Sequence, residues 1–567
     1  MTYNILGVNP GHNGAVALVA DGELLYYIEE ERLTRMKYDG NPFRGILEVL
    51  KKHHVDEVVI VGTTPEQIKL PWTGEDPYTA LVRKFNPNVK VTILGHEHHL
   101  THAACAFYNS GFDKAIAIVV DGAGSFKKEL LDEESKREIE GFETESIWVC
   151  EYPANFSIVF KNYGHNYGFK DGNGNIEFDS AVTITKAYEA VSFYLGFGFI
   201  EAGKTMGLAP YGKKDDSIPP LFLGNRASKD VFLPNYPAGA FIDEMRFPQF
   251  RRPHAPTEWH TDETKLLDIE KNLAYQIQQD TQRLVGDMIE QAVNATGINK
   301  VVLVGGYGLN CVANYYFKKR FPQVEIYNEP ISHDGGTCIG AAKLLHHKST
   351  EDTTIRKQES IYYGNDYNKE DLLSALDKFK TQFKTKKTTS NEVAKLISNK
   401  NIVALFQGRS EAGPRALGNR SILYDPRDEN GKDVVNKVKG REWFRPFAGS
   451  ILQEHVHEWF DMAGLEESPF MMYACNIVFD KVKEIPAISH VDETCRIQTV
   501  KKENNKYYYE LINSFYKLTN VPILFNTSFN LAGEPLVETL DDALNTLLNS
   551  ELKYLHLPEL ELLVEKQ

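Results

Sequence analysis

The chain has 567 residues, room for three or four domain-sized units at roughly 100–200 residues each. Hydrophobic residues make up 42% and charged residues 25%, an ordinary balance for a soluble globular protein. A net charge of −15 repels phosphate backbones and disfavours non-specific nucleic-acid binding. The longest apolar runs, such as Ala115 to Val120, fall far short of the ~20 residues a membrane span needs. The start shows no basic, then apolar leader. The six cysteines are scattered, with no CxxC pair, and read as reduced thiols of a cytoplasmic protein.

In chain order, Asn4 to Glu29 reads as a β-meander. Ile5–Val8 and Ala15–Val19 are strands around the turn Gly11-His12-Asn13-Gly14, and Leu24–Ile28 follows an Asp21-Gly22 hairpin. Phe43–His53 has a helical pattern and Glu57–Gly62 a strand pattern. Ala115–Val120 is a buried-type strand ending in Asp121-Gly122-Ala123-Gly124, and Val301–Val304 is another, ending in Gly305-Gly306-Tyr307-Gly308. A strand followed by a glycine-rich polar turn thus recurs, a weak internal repeat compatible with two ribonuclease-H-like lobes. Leu266–Ala295 is a long amphipathic helix. His346–Glu359 is polar and charged and reads as a linker, followed by Lys-rich helical sequence and a strand at Ile402–Phe406.

Three constellations carry chemistry. In His98-His99-Leu100-Thr101-His102, His98 and His102 share a helical face at i, i+4. Asp121 and Asp334 stand in glycine turns, Asp121 after a buried strand. Two His and two Asp suit Fe(II), Mn(II) or Zn(II). Second, the turns around Gly122, Gly124, Gly305, Gly306 and Asn310 offer backbone amides to phosphate, although neither is a P-loop. Third, Gly408–Ser421 holds Arg409, Arg415 and Arg420, and Lys437–Phe447 adds Lys439, Arg441 and Arg445. Cations broken up by Gly, Pro and aromatics, in an acidic chain, point to an anionic small ligand. Asn526-Thr527-Ser528-Phe529-Asn530 sets amides and hydroxyls at a strand end.

These segments resemble the O-carbamoyltransferase family that includes the nodulation-factor, cephamycin, tobramycin and ansamycin carbamoyltransferases. Its C-terminal signatures are similar to Gly413–Ser421, Phe444-Arg445-Pro446-Phe447 and Asn526–Asn530. Its N-terminal ones are similar to Glu29-Glu30-Glu31-Arg32 and Gly203–Gly212. The resemblance runs from His12 to about Glu534. It implies an α/β protein: an actin-like ASKHA domain of two ribonuclease-H-like lobes over 1–350, then a YrdC-like domain with a twisted sheet over 351–567. It also implies that the second domain makes carbamoyl adenylate from carbamoyl phosphate and ATP with Mg(II). The first then transfers the carbamoyl group to a hydroxyl-bearing acceptor.

Residue by residue, the resemblance puts a metal, Fe(II) first, on His98, His102, Asp121 and Asp334, with His99 a bystander. His12 and either Asp215 or Asp216 are the implied proton-transfer groups. Lys439, Arg415, Arg445 and Arg496 hold ATP and carbamoyl phosphate, with Asn526 and Ser528 beside them, and Lys37 serves them across the domain boundary. Gly449 stands where the family pattern has Pro and is expected to loosen a turn. Compatible alternatives are an ASKHA kinase, threonylcarbamoyl transfer to tRNA, a hydroxymethylated pyrimidine nucleotide or DNA as acceptor, and a non-catalytic nucleotide-binding scaffold. A homodimer is compatible with the sequence, and the acceptor is not legible in it.

Overall fold

The computed structural model describes residues 2–62, 74–132, 137–166, 169–170, 176–177, 182–198, 200–251, 255 and 257–567. The chain forms two compact units, 1–24 with 41–357, and 25–40 with 358–567. The early segment 25–40 therefore packs with the C-terminal unit. Arg32 is buried there and donates to the carbonyls of Glu411 and Gly413. Arg35 donates to the carbonyls of Leu536 and Pro535.

The first unit holds two sheets of one connectivity. In the first sheet, β1 (Asn4–Asn9) lies between antiparallel β2 (Ala15–Ala20) and parallel β4 (Glu57–Val61). Adding β3 (Glu23–Glu29) and β5 (Lys90–Leu94) gives the order β3-β2-β1-β4-β5. After α1 (His98–Ser110), β6 (Lys114–Val120) repeats the role of β1. It pairs antiparallel with β7 (Arg137–Glu151), and β8 (Asn155–Gly164) lies beyond. After α2 (Ile184–Tyr194) and α3 (Asp268–Thr296), β9 (Lys300–Val304) pairs parallel with β6, and β10 (Glu325–Asn328) with β9. The order β8-β7-β6-β9-β10 matches the first sheet, so this unit has the two-lobed, actin-like α/β fold.

α4 (Thr337–Thr350) closes the unit. An ideal Cβ on Gly340 would lie 1.9 Å from the Thr101 carbonyl oxygen. Only glycine lets α1 and α4 meet backbone to backbone, and this sets the two histidines of α1 beside the turn that begins α4. The linker expected at His346–Glu359 is partly wrong, because α4 runs on to Thr350. Its His346 and His347 are buried. His347 stacks on Tyr108 at 4.4 Å, and Asp352 meets His346 Nε2 at 3.2 Å. The partners these polar atoms need lie inside the fold, so a polar stretch is not a solvated one.

The second unit is a ten-stranded mixed sheet with helices. Its strands are β11 (Phe383–Lys387), β12 (Val403–Phe406), β13 (Arg420–Tyr424), β14 (Ala448–Leu452), β15 (Phe460–Asp461), β16 (Ala474–Ile477), β17 (Thr494–Val500), β18 (Ile523–Ser528), β19 (Tyr554–Leu557) and β20 (Leu562–Lys566). Their order is β11-β20-β19-β12-β13-β18-β14-β17-β16-β15. One register row runs Ala474, Arg496, Ala448, Asn526, Leu423. It brings signatures far apart in sequence onto one strip of sheet. Gly449 is not in a turn. It sits in β14, paired on both sides, where a Cβ would meet Ile488 Cδ1 at 2.8 Å. Among the described residues no helix is long and apolar enough to cross a membrane.

Candidate functional site

In the first unit, α1 projects His98 and His102 from one face, and their Nε2 atoms lie 3.1 Å apart. Asp121, at the end of β6, brings Oδ2 to 3.4 Å from His98 Nε2 and 4.0 Å from His102 Nε2. Asp334, in the turn before α4, brings Oδ1 to 3.6 Å from both. All four donor atoms lie within 4.8 Å of one another. Both imidazoles are buried. Burial alone would lower the His98 pKa, but Asp334 and Asp121 hold it well above the usual histidine value. Burial and Asp334 would raise Asp121, yet the two histidines hold it down. Converging imidazole nitrogens and carboxylates are a donor set that fits a divalent Fe, Mn or Zn ion.

The surroundings fix these ligands. The Gly306 amide donates to Asp121 Oδ1 at 2.9 Å, and Thr185 Oγ1 donates to the Asp121 carbonyl at 2.6 Å. Gly305 has φ +89°, and a Cβ there would lie 2.4 Å from the Val120 carbonyl oxygen. The Gly305-Gly306 turn therefore serves Asp121 directly. His12 Nε2 lies 3.4 Å from Asp334 Oδ2, with the ring 48% exposed. It is held against the cluster and still open to a substrate. His99 faces away, paired with Ser146 Oγ at 2.8 Å and pushed down to about 3 by burial.

Other expected groups are occupied locally. The side chain of Asn310 caps the helix Cys311–Arg320 through the Ala313 amide and pairs with Gln278. The bare Cα of Gly124 makes room for His99. That of Gly122 faces Glu189 Oε1, where a Cβ would come to 2.8 Å. Asp215 accepts from Ser217 and Asn272, and Asp216 is 89% exposed beside Lys214. Neither has a recorded contact with His12 among the described residues. Sequence reading passed over Lys186 and Glu189, paired at 2.8 Å, where burial lifts Glu189 to about 7. Their i, i+3 spacing on an amphipathic helix looks like a surface pair.

The second unit gathers cations. Lys439, at the end of the helix Gly431–Lys439, is buried and donates to the Ser528 carbonyl, to Ser528 Oγ at 3.2 Å and to Asn530 Oδ1 at 3.0 Å. Burial, then Arg441, Arg445 and Lys37, lower its pKa well below the ordinary lysine value. Arg441 is lowered likewise, by burial and then by Arg445, Arg496 and Arg415. Lys37 acts from within the same unit. Asn526 is buried beside them, donating to Ser450 Oγ at 2.9 Å and the Ala416 carbonyl at 3.3 Å. The loop carrying Arg415 is shaped by Glu411, whose Oε1 accepts the amides of Leu417, Asn419 and Arg420.

Arg420 does not belong to this ligand set. It is fully buried, its Nε, Nη1 and Nη2 donate to the carbonyls of Gln407, Gly408, Asn419 and Glu538, and it stacks on Phe406 at 3.7 Å. No N–H is left for a ligand. Arg420→Ala is expected to cost about 3–5 kcal/mol of stability, because it strands buried carbonyls. Urea unfolding measures this. A variant as stable as the parent but unable to bind nucleotide would restore Arg420 to the binding set.

Two family descriptions cover most of the chain. "Carbamoyltransferase N-terminus" matches residues 49–343 and "Carbamoyltransferase C-terminus" matches 394–566. The chain belongs to the carbamoyltransferase family. The metal-type cluster falls within the first match, and the pocket cations Arg415, Lys439, Arg441, Arg445 and Arg496 within the second. Nodulation protein NolNO of Sinorhizobium fredii is 30% identical over 95% of this chain and 77% of its own length. Nodulation protein NolO of Bradyrhizobium diazoefficiens is 31% identical over 80% of this chain and 76% of its own. The 3'-hydroxymethylcephem-O-carbamoyltransferase of Amycolatopsis lactamdurans is 25% identical over 95% of each chain. This carbamoyltransferase is therefore of the nodulation and cephem O-carbamoyltransferase type.

Proposed function

We propose that this carbamoyltransferase makes carbamoyl adenylate in its second unit and passes the carbamoyl group to an alcohol in its first. The observation that carries the reading is the cation pocket around Lys439, which suits phosphates and has no role in transfer from a preformed donor. Carbamoyl phosphate gives up inorganic phosphate to water. The carbamate oxygen then attacks the α-phosphorus of ATP, brought with Mg(II), and pyrophosphate leaves. Lys439, Arg415, Arg445, Arg496 and Lys37 neutralise the phosphates, while Ser528 and Asn526 orient them.

In the first unit, His12 takes the proton of the acceptor hydroxyl as its oxygen attacks the carbamoyl carbon, and AMP leaves. Asp334 holds His12 in place. A divalent metal on His98, His102, Asp121 and Asp334, with Fe(II) favoured over Mn(II) or Zn(II), would supply Lewis-acid stabilisation of developing negative charge. The acceptor class is a small molecule with an accessible hydroxyl, as the name of the cephem relative suggests for that protein. Incubation with carbamoyl phosphate, ATP and Mg(II) should yield phosphate, pyrophosphate and carbamoyl adenylate, and AMP once an acceptor is added. A cell extract should then show a species heavier by one carbamoyl group. ADP as the product would replace this reading with a kinase.

A further inference from the structure

The cation pocket contains an arginine that the family resemblance did not single out. Arg441 follows Lys439 across Gly440, and its guanidinium carbon lies 4.6 Å from the centre of the Phe447 ring. The Phe447 ring backs the guanidinium on one side, and Phe447 is itself tilted against Phe525 at 4.5 Å. Nε is sealed from solvent and finds no acceptor. Among the described residues the guanidinium has no recorded hydrogen bond or ion pair. The contrast with Arg420, whose Nε and both Nη atoms end on carbonyls, is direct.

Its neighbours sharpen the point. The chain turns from Lys439 through Arg441 to Arg445 and into β14, whose Ala448 is in register with Arg496 and Asn526. Asn526 reaches the carbonyl next to Arg415. Glu442 and Glu534 are the carboxylates that bear on Arg441 and Lys439, and Glu442 already holds Arg445 at 3.2 Å. A cation drawn out of water without an ion-pair partner is costly. Half-buried Arg441 has Arg445, Arg496 and Arg415 as its cationic neighbours, and its Nε meets no acceptor.

We propose that Arg441 is a direct ligand of the phosphate groups bound in this pocket, and that its charge destabilises the ligand-free fold until a polyphosphate arrives. The proposal rests on the reading of the second unit as the adenylate-forming site and adds a residue and an energetic signature to it. A planar guanidinium held on an aromatic face presents parallel N–H groups, the fork geometry that suits two phosphate oxygens. A structural arginine and a ligand arginine make opposite predictions for removal. Losing the first weakens the empty protein. Losing the second relieves like-charge repulsion and weakens only the complex.

The test uses the full chain with inorganic pyrophosphate as probe, at constant ionic strength, by calorimetric titration and thermal unfolding. Arg441→Met keeps an apolar contact with Phe447. It should bind pyrophosphate at least tenfold more weakly than the parent, with a ligand-free melting temperature equal or higher. Parent-like affinity in Arg441→Met would overturn the proposal, as would a lower ligand-free melting temperature with unchanged affinity. If that variant does not fold, Arg441→Lys keeps the charge without the fork. It should bind pyrophosphate several-fold more weakly, and unchanged affinity would overturn the proposal. A parent protein that pyrophosphate neither binds nor stabilises would sink the adenylate-forming reading itself, and the Arg441 proposal with it.

Discussion

Lys439→Ala should abolish carbamoyl adenylate formation while leaving transfer from supplied carbamoyl adenylate intact. The ammonium is held in advance by the Ser528 carbonyl, Ser528 Oγ and Asn530 Oδ1, so its position does not depend on the ligand. Burial and the neighbouring Arg441, Arg445 and Lys37 make its charge unfavourable in the empty pocket. A bound anion reverses that balance. With its three N–H groups engaged by the protein, Lys439 acts on the phosphates as a fixed positive charge, and removing such a preorganised charge slows activation by about 10²–10³-fold. Arg415→Ala should show the same pattern. His12→Asn should show the reverse, because His12 touches Asp334 in the other unit. The checks are carbamoyl-phosphate-dependent pyrophosphate release and, separately, carbamoylation from the supplied adenylate. If Lys439→Ala and His12→Asn, both folded, each fail in both assays, the division of labour between the units is wrong.

How far the sequence reveals this protein depends on how local each signal is. The i, i+4 pair His98 and His102 needs only a helix, and α1 supplies it. The strands that deliver Asp121 and precede Gly305 are β-branched runs with one reading. The recurrence of strand and glycine turn rests on a connectivity that both sheets share. Arg420 and Arg415 show the opposite case. They lie five residues apart in one loop and look alike in sequence. One is spent on backbone carbonyls and the other bears on Arg441, with Glu411 and β13 fixing the loop between them. The packing of segment 25–40 with the second unit is equally non-local, resting on Arg32 and Arg35 meeting carbonyls more than 300 residues away. Gly449 misleads because a strand glycine and a turn glycine look the same until Ile488 fills the space over it.

His98→Ala and His102→Ala should each remove a tightly bound divalent metal and, with it, carbamoyl transfer. Both imidazoles aim Nε2 at one point, and Asp121 and Asp334 aim carboxylate oxygens at the same point. Removing one donor leaves a three-ligand site that binds far more weakly. Loss of a supporting partner alone costs about 10–100-fold in affinity, and loss of a direct ligand should exceed that. Metal content by elemental analysis should fall from about one ion per chain to near zero, a readout independent of activity. Stripping the parent protein with a chelator and then assaying it with fresh Mg(II) should stop transfer yet spare adenylate formation, because the cation pocket lies in the other unit. His99→Gln provides the control. His99 is as buried as its neighbours but bonds to Ser146 Oγ, so the variant should keep its metal even if it is less stable. Full metal content in both the His98 and His102 variants would reduce the cluster to a hydrogen-bonded His–Asp network. It would then leave His12 and Asp334 to carry transfer without a metal.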